Sequence, residues 1–267
     1  MFSVIWAESR LLWNIPLLVS LICIFLLYGI LLKRLNALQE YRNQSGFLVI
    51  GLAFLYLTIG SPLSTFSHLS FSFHMLQMSI LFFIIPPMIL LGIARPVLQS
   101  IQGISIFKRP GKWRSVPMLT LIAFSSLFFL YHLPMVLTLL SQNTSIHTGY
   151  TLLLFLLSFG MWWPIAASAP AQHFSGERKR RYIFLSGLII MPACMLFIIS
   201  ALFGEMTNPF LSQMAVGVCL PSNFQSTNLI PSVFNARIDQ LMSGFLMLGM
   251  HKLGLMMVYY FGKIFCV

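Results

Sequence analysis

Charge is scarce in this chain and acid scarcer still: 8% of its 267 residues are charged, and only five are Asp or Glu. With 58% hydrophobic residues, a soluble domain would expose apolar patches too large to stay in water, so the soluble globular classes are excluded. No pair of carboxylates falls within the apolar runs, which removes paired-acid chemistry. The four cysteines, Cys23, Cys194, Cys219 and Cys266, are scattered and form neither a disulfide framework nor a thiolate metal clamp. There is no Gly-rich phosphate loop, no His-Glu-x-x-His pair and no nucleophile elbow, so no enzymatic activity is expected. The formal charge of +11 does not point to nucleic acid, because the basic residues sit in short clusters between apolar runs, the pattern of membrane orientation. Glu8 and Arg10 nearly cancel and no small-residue cleavage site follows, so a removable signal peptide is not expected.

What the chain does have is apolar length. Its pattern predicts an all-α polytopic membrane protein, one domain over residues 1–267, with seven transmembrane helices at about 15–32, 47–63, 72–93, 118–140, 146–167, 182–203 and 238–261. At 1.5 Å per residue each crosses a hydrocarbon core of roughly 30 Å, residues 47–63 being the marginal case. Pro86-Pro87 is placed to kink the third span, and Trp162-Trp163 suits the headgroup interface. Thirteen of the sixteen Lys and Arg residues fall in the first, third and fifth connections and the tail. The positive-inside rule therefore predicts an external amino terminus and a cytoplasmic carboxyl terminus. In the long connection before the seventh span, Pro209–Leu220 is apolar but too short to cross.

That topology places polar residues by depth. His68, His74, His132 and His147, four of the six histidines, fall toward the outer side, with Asp239 opening the seventh span at the same level. Met78, Met135 and Met242 lie within about a turn of them. Residues four apart share a helix face, so His74 and Met78 point the same way. Imidazole and thioether together suit copper, the thioether favouring Cu(I). The candidate metal ligands are His74, Met78, His132, His147 and Asp239. Each also has a plainer role: His74 as a hydrogen-bonded histidine near a helix end, Met78 as packing, His132 satisfying carbonyls freed by Pro134, His147, like His68, at the water boundary, and Asp239 as a helix-opening residue favoured by the dipole. His173 reads as solvated surface. His251-Lys252, near the middle of the seventh span, costs energy there and has no account from the sequence. His74 and His132 would also be at matching depth for axial haem ligation.

The motifs His74-Met75-Leu76-Gln77, Pro86-Pro87, Gly92 and Arg95-Pro96 resemble the third-span pattern of the multi-span CtaG-like cytochrome c oxidase assembly factors. Ser61-Pro62-Leu63, Tyr131-His132-Leu133-Pro134, Trp162-Trp163-Pro164 with Pro170, and Asp239-Gln240 with Gly244 follow in the family's order. The resemblance implies a role in maturing a haem-copper oxidase in a bacterial cytoplasmic membrane, with copper supply as the activity and an oxidase subunit as partner. The chain departs from the family at Met78 and Tyr150, each standing where a second histidine is usual, and at His251-Lys252, where the usual tryptophan is missing. The alternatives are a metal-free scaffold for an oxidase subunit and a haem-binding membrane protein.

Overall fold

A computed structural model describes residues 13–62, 64, 70–102, 116–167, 174, 176–203 and 236–265. His68, His173 and Pro209–Leu220 lie outside the described residues. Among those described, every regular element is a helix: α1 Ile15–Arg34, α2 Arg42–Gly60, α3 Phe71–Gly92, α4 Arg95–Gln102, α5 Val116–Tyr131, α6 Pro134–Ser141, α7 Thr144–Ala166, α8 Gly176–Phe203 and α9 Ala236–Phe265. Six of these, α1, α2, α3, α7, α8 and α9, are long and apolar enough to cross a membrane.

The run expected to be one helix over 118–140 is broken. α5 ends at Tyr131 and α6 begins at Pro134. Proline has no N–H to continue the ladder and disfavours the helical region for the residue before it; Leu133 is accordingly extended at φ −75°, ψ 131°. The sixteen residues of α5 rise about 24 Å, so α5 alone is short for a hydrocarbon core. α2 begins earlier than expected, at Arg42, and ends at Gly60, where Ser61 turns extended ahead of Pro62.

α3 is the axis of the bundle. Its most apolar stretch is 78% buried, against 17% for the peripheral α1. Phe82 and Phe83 are fully buried and meet Phe124 and Phe128 of α5 edge to face, at centroid distances of 5.5–6.1 Å, the arrangement the aromatic quadrupole favours. α9 runs alongside α3 in the same direction, Asp239 beside Phe71 and His251 beside Phe83. Gly254 lets that approach close: a Cβ there would run into the Phe83 carbonyl and lie 3.0 Å from the Trp162 ring.

The regular ladder of α3 is interrupted by a π-helical turn over Ile80–Ile84, directly ahead of Pro86-Pro87, which fall in the first turn of the α-helix that follows. A second π turn, Tyr56–Gly60, ends α2. Such turns leave carbonyls without regular partners. Here Trp162 Nε1 donates to the Phe82 carbonyl at 3.0 Å, and Gln77 Nε2 to the Thr58 carbonyl at 2.7 Å.

Both ends of α3 are closed by other helices. At its carboxyl end, Gln44 Nε2 donates to the Leu91 and Ile93 carbonyls at 2.7 and 3.2 Å. The Tyr28 hydroxyl donates to the Gly92 carbonyl at 2.9 Å and accepts from the Ala94 N–H at 3.0 Å. These groups are among the orphans every helix end leaves, and in a bilayer water cannot serve them.

Candidate functional site

At the opposite end of α3, His74 is buried on the face it shares with Met78 and Ser79. The break after Tyr131 leaves that tyrosine in the last turn of α5, with its side chain inside the bundle. α7 is preceded by Asn143, whose side chain caps the Ser145 and Ile146 N–H groups; this fixes the turn that carries His147. The three elements converge on one atom. The Tyr131 hydroxyl lies 3.3 Å from His74 Nε2 and 3.0 Å from His147 Nε2.

A hydroxyl carries one proton, so it donates to one imidazole and accepts from the N–H of the other. Two ring nitrogens thus point at a single buried oxygen. Tyr150 stacks on Tyr131 at 5.8 Å and donates its hydroxyl to the Leu127 carbonyl at 2.7 Å. Its hydroxyl is thereby tied to the α5 backbone.

His132 is adjacent in sequence but not in the group. Its Nδ1 bonds the Phe128 carbonyl at 2.5 Å, and its ring packs edge-on to Phe128 and Phe197 at 4.4 and 5.2 Å. The Nδ1–H to carbonyl bond leaves Nε2 as a bare lone pair, the tautomer of a ligating histidine, and that Nε2 is buried without a hydrogen-bond partner among the described residues. Tyr131 contacts both His74 and His132, at ring-centroid distances of 6.4 and 5.3 Å.

Asp239 is committed elsewhere. Its carboxylate accepts from the Ser70 hydroxyl at 2.6 Å, the Phe71 N–H at 2.9 Å and the Ser72 N–H at 3.1 Å. Its own carbonyl accepts from the Ser72 and Ser243 hydroxyls, both at 2.7 Å. A carboxylate at the positive end of a helix dipole, facing free N–H groups, is an N-cap. Here the cap is supplied in trans, by α9 to α3. Gln240 beside it bonds Ser200 of α8. Met78 is buried one turn along α3 from His74, whereas Met135 and Met242 are 77% and 42% exposed and stand outside the group. Among the described residues no three His, Cys, Asp or Glu side chains converge as a metal centre. Tyr131, the residue that joins the two histidines, was not a candidate ligand from the sequence; its signals were its place in the Tyr131-His132-Leu133-Pro134 motif and ahead of Pro134, where the helix has to break.

His251 lies deeper, between the Phe83 ring at 5.0 Å and the Trp162 ring at 5.9 Å. Its Nε2 has no hydrogen-bond partner among the described residues, nor do the buried hydroxyls of Ser79 and Ser125.

Neither a curated protein nor a solved structure matches the chain. The pattern of the cytochrome c oxidase caa3 assembly factors (Caa3_CtaG) matches residues 26–264, from the middle of α1 to the end of α9. That range takes in the interlocked helices, the His74–Tyr131–His147 group and the Asp239 cap, and the chain belongs to the cytochrome c oxidase caa3 assembly factor family.

Proposed function

We propose that the chain handles copper as cargo while a haem-copper cytochrome c oxidase is assembled, holding the ion between His74 and His147 with the Met78 thioether as a third donor. The observation that carries this reading is the convergence of two imidazole nitrogens on one buried oxygen. Neutral imidazole and thioether are the donors that suit copper, and Cu(I) in particular. The phenol gives each imidazole a partner when no ion is held, which offsets the cost of burying bare ring nitrogens. His132 keeps an available lone pair one residue away and is the donor to which an ion could pass. Asp239 acts as a positioning residue, through its hold on the turn that carries His74.

In this reading the bundle crosses the cytoplasmic membrane of a bacterium seven times, α5 and α6 together making one crossing, with the amino terminus outside. The clustering of thirteen of the sixteen basic residues on one side supports that orientation. The copper group then faces the outer leaflet, and no catalysis is involved. The metal-free scaffold is the competing reading, favoured by the full commitment of the Asp239 carboxylate to a helix cap.

The two readings part in cells. A strain whose chain carries His74→Ala and His147→Ala should lose oxidase activity and regain part of it with added copper. Full oxidase activity in that strain would exclude the copper reading and leave the scaffold.

A further inference from the structure

We infer that the outward face of α9 around Lys252 docks against a membrane helix of another protein that presents a carboxylate near mid-membrane depth. Lys252 is exposed at the surface of the bundle, while its neighbour His251 is turned inward onto Phe83 and Trp162. It stands 16 residues from the start of α9 and 13 from its end, about 24 and 20 Å along the axis. A lysine stem reaches about 6 Å, too little to bring the ammonium to either interface. Among the described residues no hydrogen bond or ion pair involves Lys252, and the one salt bridge is Arg181–Glu177. An ammonium facing hydrocarbon is costly, and intramembrane lysines are paired or turned into a polar interior. Among the described residues Lys252 has neither, and we take its partner to come from outside the chain.

The surrounding surface fits a helix. Phe245, Gly249, Lys252, Met256 and Tyr259 recur at helical spacing and are all exposed. Gly249, three residues from Lys252, carries no side chain and has open space around it, so a second backbone can come close there.

A second copy of the chain is not the occupant. It would set lysine against lysine, and it has no acid to offer. Glu8, Glu40, Glu177 and Glu205 fall outside the apolar runs, and the Asp239 carboxylate is held by Ser70, Phe71 and Ser72. This inference rests on α9 crossing the bilayer and on the assembly reading, whose partner surface it names; it does not depend on copper.

The test places a photoreactive amino acid at Met256 in the full-length chain, in membranes of a bacterium making the oxidase, with Leu152 of α7 as a reference position. The cross-linked peptide from position 256 should be a membrane helix containing Asp or Glu. Lys252→Met should cut the cross-link yield about tenfold, because it strands the partner's carboxylate. Methionine is at home in lipid, so misfolding will not mimic that loss. Lys252→Glu combined with acid→Lys in the partner should restore the yield. Cross-links only to lipid or to another copy, a partner helix without an acid, or a yield unchanged in Lys252→Met would each overturn the inference. An acid-bearing helix from a protein other than an oxidase subunit would uphold the docking and remove the oxidase subunit as its partner.

Discussion

The carboxylate of Asp239 in α9 accepts the Phe71 N–H of α3 at 2.9 Å, so the helix carrying His74 begins on a side chain 168 residues further along the chain. Together with Ser70 and Ser72 this gives Asp239 three donors, and it fixes where His74 stands relative to α9.

Replacing Asp239 with Ala strands buried N–H groups and should lower unfolding stability in detergent by about 2–4 kcal/mol, a cost set by loss of a charged cap with unsatisfied donors left behind. Asp239→Asn keeps one acceptor oxygen and should cost less. Denaturant melts of the two variants, with proteolysis near Ser70 as the local readout, check the ordering. Equal stability in Asp239→Ala and wild type would contradict the cap.

The Gly254 contact makes a second prediction. Gly254→Val has to push α9 away from the Phe83 carbonyl and Trp162, and should destabilise by about 1–3 kcal/mol, as overpacking commonly does. Gly249→Val has open space and should be nearly neutral in detergent. A thermal-melt comparison of the pair measures the difference.

Tyr131→Phe distinguishes bridge from ligand. Removing the hydroxyl takes a shared partner from the buried His74 and the half-buried His147, so the metal-free protein should lose about 1–3 kcal/mol. Both imidazoles remain, so copper retention should persist, and added Cu(I) should recover stability. Loss of copper in Tyr131→Phe would instead make the phenol a ligand.

Orientation is tested with reporters. An activity that works only in the cytoplasm should be on when fused after Val267 and off when inserted near Gln142. The reverse would move the His74 group to the other side of the membrane.

The long helices were legible because hydropathy and length suffice for them: α1, α3, α7, α8 and α9 all contain their expected spans over most of their length. The break at His132-Leu133 was not read, although Pro134 supplies its cause, because the apolar run continues across it and composition does not register backbone direction. His74 and His147 were legible as candidates at a common depth. Their joining through Tyr131 was not, since which residue faces inward at a helix end depends on where the helix stops. Asp239 was recognisable as a residue of a helix start; that the helix it opens is α3 follows only from the parallel packing of α3 and α9. Met135 and Met242 show the limit of depth alone, because at the right level both are turned outward.

The central claim is that His74 and His147 hold copper, and the direct measurement is metal content. Detergent-purified protein loaded with Cu(I) and desalted should retain about one copper per chain, held by the soft donor set. The His74→Ala, His147→Ala variant should retain essentially none while keeping the melting behaviour of a folded bundle. Asp239→Asn should weaken retention less, by about 10–100-fold in affinity, as loss of a positioning contact does. No copper on the wild type, or equal copper on wild type and the double variant, would contradict the account.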